Sequence, residues 1–445
     1  MRFAFLKKLS LSRKLILGFM GAILIGTFLL MMPFSSSGEE NISFLTALFT
    51  ITSAVCVTGL SVIDVGKELS TAGQIILLIF IQLGGLGIMT FSSFILLLIG
   101  KKITYEEREL LKEERNLENN GGILWFLKKI ILTVVIIEGT GALFLALRFA
   151  QDMEIKKAVY YGIFHSVSAF CNAGFSLFST NLEKYAGSFV VTMTTAYLII
   201  IGGIGFTVID SILFATRKKV KRFDLTSKVA ILVSMILVIL GTVLFLILEY
   251  NNRGTIGEMS FFKKILASFF QSVTTRTAGF NSVPFGNLTE GSVFLFCILM
   301  FIGASPGSTG GGIKTTTFGV IIFYVISVVK KRESVVIFNR RIGWEVLNRA
   351  IVVLILALLY VGIITLIIVS IDEFTLEQTI FEVVSAFATT GLSLGITPEL
   401  GTISRILIIC TMFLGRLGPM TFALALGGSN KVDKIQFPKE NILVG

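Results

Sequence analysis

An all-α polytopic membrane protein, with four tandem helix–pore-loop–helix repeats around a central pore, is the fold class this sequence predicts, and three observations carry it. The chain of 445 residues is 54% hydrophobic and only 15% charged, whereas an ordinary soluble domain is about 25% charged. A stretch of the form FTITSAVCVTGLS, Phe49 to Ser61, occurs four times, again as Phe164–Ser176, Phe269–Asn281 and Phe381–Ser393. Basic residues recur between the copies: 27 of the 39 Lys and Arg lie in the N-terminus, 101–129, 217–228, 330–349 and the tail after Ser429. The positive-inside rule puts all five places, and so both termini, in the cytoplasm of a multi-pass cell-membrane protein. The net charge of +11 thus reports topology and contact with membrane lipid, not nucleic-acid binding.

Aligned without a gap, each copy has Phe ten residues before a central glycine, Thr or Ala just before it, and Leu or Phe just after. The glycines, Gly59, Gly174, Gly279 and Gly391, are 115, 105 and 112 residues apart, which makes the chain a tandem array. The dozen or so mostly apolar residues before each glycine are too few to cross roughly 30 Å of hydrocarbon, so they predict a re-entrant segment. Irregular backbone survives at that depth only where protein or a water-filled cavity solvates it. A short helix ending at the turn aims its partially negative C-terminus at the centre, and glycine lets successive carbonyls point inward. Such carbonyl rings replace the water shell of a cation. The candidate ion-binding residues are therefore Val57, Thr58, Gly59, Asn172, Ala173, Gly174, Thr277, Ala278, Gly279, Thr389, Thr390 and Gly391.

Repeat one occupies 1–100. Its apolar run Leu15–Met32 has no small-x-small cleavage site and meets Pro33-Phe34, which predicts a retained helix. The acidic pair Glu39-Glu40 faces out, and after the pore loop Thr71–Ile99 forms a second span containing Gly84-Gly85-Leu86-Gly87. A cytoplasmic linker, 101–120, mixes charges as a solvated helix does. Repeat two (121–216) has helices over Leu124–Arg148 and 187–215, the latter carrying Gly202-Gly203-Ile204-Gly205. Glycines so spaced suit close helix packing; a dinucleotide site fails for want of a strand–turn–helix context. Repeat three (217–330) begins its first helix near Thr226 and reaches the outer side around Glu249–Arg253. Repeat four (331–428) has helices over Leu347–Ile371 and 402–427, and 429–445 is a C-terminal tail.

The inner helix of repeat three starts near Ser292 and is interrupted over 303–317 by Gly303, Ala304, Ser305, Pro306, Gly307, Ser308, Thr309, Gly310, Gly311 and Gly312, then Ile313, Lys314 and Thr315. So many helix breakers cannot continue a helix in hydrocarbon. A phosphate-binding P-loop is excluded because Ile313 separates Gly312 from Lys314 and no strand precedes it. The segment reads as a gate lying across the pathway below the filter. Gly303 and Gly415 both follow their filter glycine by 24 residues, which places Arg416 inside the membrane at the gate's depth. Arg416 is expected to hydrogen-bond loop carbonyls and to oppose cations.

Glu138, Asp210 and Arg276 read either as structural partners or as transport residues, and His165 as a packing residue in preference to a pH sensor. Cys56, Cys171, Cys297 and Cys410 show no paired spacing, so neither a disulfide framework nor a metal site is indicated. No nucleophile or carboxylate constellation supports an enzyme. An alternating-access transporter is the other class to weigh, but its usual signature is two inverted halves, and here four units repeat in parallel register.

The tetrapeptides Val57–Leu60, Asn172–Phe175, Thr277–Phe280 and Thr389–Leu392, with the interruption at 303–317 and Arg416, resemble those of the Trk/Ktr/HKT superfamily of potassium transporters. The similarity is closest to the membrane subunit of bacterial Ktr systems, since 14 residues before Leu15 leave no room for the extra helices of Trk-type subunits, and Gly59 is not Ser as in some sodium-favouring relatives. The resemblance implies a potassium-channel-like fold, potassium as substrate, sodium as an activator, no bound cofactor, and a homodimer with one pore per subunit. It also implies gating by a cytosolic KtrA-like ring of RCK domains that binds ATP and ADP, docked on the basic loops at 217–228 and 330–349. The apolar end Ile442–Gly445 is expected in dimer contacts.

Overall fold

The computed structural model describes residues 11–38, 41–87, 123–206, 208–212, 224–332 and 334–418. The acidic pair Glu39-Glu40, the end of the second span, the 101–120 linker, residues 213–223 of a basic connection, and Pro419 with the tail lie outside these.

Each unit opens with a long helix: α1 (Leu11–Leu30), α4 (Ile123–Phe149), α7 (Leu225–Glu249) and α11 (Trp344–Ile371). Among the described residues these are the four helices long and apolar enough to cross a membrane. Their outer faces stay apolar, as at Leu24, Ile239 and Leu366, because hydrocarbon is the solvent there. Next come the short helices α2 (Phe44–Val55), α5 (Ile155–Phe170), α8 (Phe261–Thr274) and α12 (Leu376–Ala388). At 1.5 Å per residue they run only about 18–24 Å and so enter without crossing. Ser43 caps α2, and Thr375 with Gln378 forms a capping box on α12.

The third element is α3 (Thr71–Leu86), α6 (Phe189–Ile204), the pair α9 (Glu290–Phe301) and α10 (Thr315–Val329), and α13 (Thr402–Leu417). Each packs beside the short helix of the following unit: α3 on α5, α6 on α8, α9 on α12, and α13 back on α2. That order closes the four units into a ring. Two hydrophobic clusters fill it, one mainly from units one and two and one mainly from units three and four.

The inner helices differ from the continuous spans expected. α3 stops at Gly87, α6 at Gly205 and α13 at Gly418, with φ of 81°, 98° and 85°. A left-handed residue cannot propagate a right-handed helix, and glycine is the residue that adopts it without strain. All four inner helices are therefore broken or ended at one depth, where one interruption was expected. The unit-three break also runs over 302–314, not 303–317. Lys314 is extended and caps α10, and Thr315–Thr317, with no breaker among them, form its first turn. The fold is not purely helical: the basic 330–349 connection carries a hairpin, β1 (Val336–Ile337) with β2 (Arg340–Arg341), turning through left-handed Phe338 and Asn339.

Candidate functional site: a ring of four glycines and the loop beneath it

Two residues in each re-entrant turn have positive φ. They are the glycine itself, at 99°, 68°, 77° and 87°, and the residue two before it, Val57, Asn172, Thr277 or Thr389, at 57°, 59°, 70° and 52°. For a β-branched residue this conformation is strained, and such strain is held only where surrounding structure over-determines it.

The over-determination is a closed ring. A Cβ on Gly59 would lie 2.5 Å from the carbonyl oxygen of Ala173, one on Gly174 3.0 Å from that of Ala278, one on Gly279 2.4 Å from that of Thr390, and one on Gly391 2.2 Å from that of Thr58. Each glycine thus accommodates the carbonyl preceding the next unit's glycine, and the fourth returns to the first. All twelve candidate ion-binding residues are in these four turns.

Behind the ring the amides are engaged. Thr58 N–H donates to the Ser53 carbonyl (2.7 Å) and Gly59 N–H to Ser53 Oγ (3.0 Å). Unit four repeats this with Thr390 and Gly391 on Ser385 (2.8 and 3.1 Å). In unit two Ala173 N–H donates to the Ser168 carbonyl (2.8 Å). In unit three Thr274 accepts from Ala278 N–H through its carbonyl and from Phe280 N–H through Oγ1. With these donors turned to the back of the ring, the carbonyl oxygens are the larger share of the polar groups left for the axis. Sequence reading missed these hydroxyls; the Ser-Ala pair at 53–54 and 385–386 was the available signal, repeated at 168–169, where Ser168 Oγ instead donates to the Phe175 carbonyl (2.8 Å), and replaced in unit three by Val273-Thr274.

The four glycines share one side of a cavity of about 330 Å³ whose wall carries Asp64 and Glu183 and no Lys or Arg. Burial alone would raise the Asp64 carboxyl, but Ser179 and Lys67 hydrogen bonds, the Lys67 charge and the Gly66 N–H hold it below its ordinary value. Burial raises Glu183, opposed by a hydrogen bond from Asn281. A mouth with two carboxylates and no base favours cations.

On the opposite side of the ring lies the 302–314 loop. It begins and ends at an Ile302–Ile313 bridge. Ser305 and Thr309 N–H donate to Gly203 and Gly202 carbonyls (3.1 and 3.2 Å), so the loop leans on the broken end of α6. Lys314 Nζ donates back to the Gly310 carbonyl (2.8 Å). A Cβ on Gly310 would lie 2.0 Å from Thr277 Oγ1 and one on Gly311 2.4 Å from Thr389 Oγ1. Ser305 and Thr309 are fully buried, while Pro306, Gly307 and Ser308 are half-buried. Arg416 donates to the Thr309 carbonyl and to the Gly84 carbonyl, tying the loop to units four and one.

The first glycine of each G-x-[Leu/Ile]-G motif has its own role. A Cβ on Gly84, Gly202 or Gly415 would lie 2.2, 1.9 or 1.9 Å from the carbonyl of Val55, Phe170 or Phe387, near the end of a short helix. The second position is Gly85, Gly203 or Arg416, so Arg416 stands where units one and two have no side chain.

Glu138 accepts from Gln82 Nε2 (3.1 and 3.3 Å) and Asp210 pairs with Lys129, both as partners of neighbouring helices. Arg276 is buried with its Nε unpaired. Both His165 ring nitrogens are engaged, by the Tyr161 carbonyl (2.7 Å) and Ser176 Oγ (2.9 Å), within a shell of aromatic rings.

Four re-entrant turns closed round one axis define a membrane transport protein. The profile of the TrkH family, described as cation transport proteins, matches residues 14–432, and the chain belongs to that family. It is 40% identical over 433 residues to Ktr system potassium uptake protein B of Bacillus subtilis (strain 168), covering 97% of this chain and 96% of that protein. It is 36% identical to the protein of the same name from Vibrio alginolyticus, over 97% and 94% of the two chains. It is also 36% identical to the potassium/sodium uptake protein NtpJ of Enterococcus hirae, over 99% and 98%. In fold it matches the crystal structure of the potassium transporter TrkH from Vibrio parahaemolyticus, with a TM-score of 0.69 at 22% identity over 92% and 84% of the chains. The family consists of transporters, not enzymes, and the protein is a multi-pass membrane protein.

Proposed function

We propose that the protein takes up potassium across the cell membrane, with the ring of glycines as selectivity filter and the 302–314 loop as gate. The closed ring carries this reading: the carbonyls of Thr58, Ala173, Ala278 and Thr390 each lie against the neighbouring unit's glycine, and such carbonyls can replace the water shell of a dehydrated cation. The relatives named for potassium uptake, matched end to end, support the choice of ion. Buried Thr58, Thr389 and Thr390 hydroxyls without partners among the described residues add polar groups beside the carbonyls. Arg416 holds the loop shut and places positive charge in the path. Sodium assists uptake; one relative is named a potassium/sodium uptake protein. The subunits pair as a homodimer with both termini in the cytoplasm, where a ring of RCK domains binding ATP and ADP sets the loop's position. Such a partner acts by binding one arrangement more tightly than the other.

The test is rubidium or potassium uptake by potassium-starved cells expressing the chain, with and without Gly59→Ser. Uptake above that of empty cells, with Gly59→Ser reducing the preference for potassium over sodium, is expected. Uptake equal to that of empty cells, or an unchanged preference, would overturn the reading.

A further inference from the structure

On the side of the molecule that carries the 330–349 connection, a second cavity of about 410 Å³ opens between α7, α10, α11 and the hairpin. Val229, Val320, Val353 and Ile337 line it, and among the described residues Arg349 is the one charged residue of the lining. Arg349 is exposed, and among the described residues it forms no ion pair. Lys228 lies 5.8 Å over the Phe338 ring at the hairpin tip, and Arg340 and Arg341 are exposed on the same hairpin. Two carboxylates share this rim: Asp224 caps α7 by accepting from Ser227 N–H (3.2 Å), and Glu345 precedes Arg349 by one turn. Positive charge is therefore in excess at the mouth of an apolar cavity.

The cavity opens beside an apolar face of α11: Val346, which lines it, is 51% exposed, and Val352 and Ile355 of the same helix are 44% and 50% exposed. A guanidinium at the edge of an apolar recess matches a phosphate bidentately, and basic pockets between membrane helices hold anionic head groups. We propose that this cavity binds an anionic glycerophospholipid of the adjoining leaflet, one acyl chain against Val229, Val320 and Val353 and the phosphate on Arg349. Val320 belongs to α10, the helix on which the 302–314 loop ends, so the lipid braces that anchor.

The experiment is native mass spectrometry of the solubilised full chain with equal phosphatidylglycerol and phosphatidylcholine. Retention of phosphatidylglycerol should exceed that of phosphatidylcholine about fivefold, the effect of one well-placed cation. Arg349→Gln should bring the two to near parity, and Ala350→Trp, filling the cavity, should lower both. Ile239→Trp, on a lipid-facing part of α7, should change neither. Equal retention in the unaltered protein, or a preference that survives Arg349→Gln, overturns the proposal. So does displacement of the lipid by millimolar inorganic phosphate, which marks a free-phosphate site. Ala350→Trp that splits an oligomer without changing lipid retention marks a protein interface and overturns it too. If Ala350→Trp fails to fold, Arg349→Gln decides alone.

Discussion

Gly310 is where the loop presses against the filter, and adding one methyl there gives the sharpest test of a gate. In Gly310→Ala the new Cβ would lie 2.0 Å from Thr277 Oγ1 and 2.7 Å from Ala304 Cβ. The first contact falls about 1.4 Å short of ordinary separation. Thr277 cannot easily yield, because its hydroxyl is 3.3 Å from the Asn172 amide group and the residue is fully buried. The loop must move instead. Overpacking of this kind costs roughly 1–3 kcal/mol, and its larger part, the Thr277 contact, falls on the arrangement in which loop and filter touch. The displaced loop should therefore gain about 5- to 150-fold in population. Initial rubidium uptake into liposomes should rise at least about fivefold at unchanged protein density. Gly310→Ala with Thr277→Ala, which removes Oγ1, should return the rate toward that of Thr277→Ala alone, because the two changes share one contact. An unchanged rate in well-folded Gly310→Ala would refute the assignment of 302–314 as the barrier.

Arg416→Gln loses the fork that reaches both Thr309 and Gly84, so uptake should rise, and Arg416→Lys should not restore the rate because an ammonium cannot span both carbonyls; initial rates in the same liposomes check this. Ser385→Ala leaves the Gly391 amide without its Oγ acceptor, an unpaired buried donor costing about 1–3 kcal/mol, and potassium-over-sodium preference in competition uptake should fall. Asp64 tests the outer mouth: its folded pKa is depressed, so its stabilisation is present above the ordinary carboxylate pKa, about 3.9, and is lost as pH falls through the lower folded value. Melting temperature should consequently drop less steeply on acidification in Asp64→Asn than in the unaltered protein.

The four units, their long first helices and the turning glycines were legible because each leaves a composition or spacing mark. Phe49, Phe164 and Phe381 could be aligned by eye, and all are fully buried. The breaks after Leu86, Ile204 and Leu417 were not legible: hydropathy responds to side chains, whereas a helix ends there through one backbone angle at a glycine that packing alone could justify. Gly84 and Gly87 look alike in the sequence, yet one admits a neighbour's carbonyl and the other turns the chain. Ser53 and Ser385 were overlooked because their work is done on amides six residues ahead, a spacing that matches no helical or strand period. Arg416 stood out because a charge in hydrocarbon demands a partner, but its bond to Gly84 crosses from the last unit to the first, and no local pattern encodes that.

Since one polypeptide supplies all four quadrants, none needs to match the others. An assembly of four identical chains would have to accept any obstruction in quadruplicate. Here, among the described residues, the third quadrant alone carries the 302–314 loop, the fourth alone carries the arginine bonded to it, and Val57 stands where the other quadrants have Asn172, Thr277 and Thr389. Barrier and aperture can therefore be altered one quarter at a time, by substitutions that a symmetric channel would be forced to multiply.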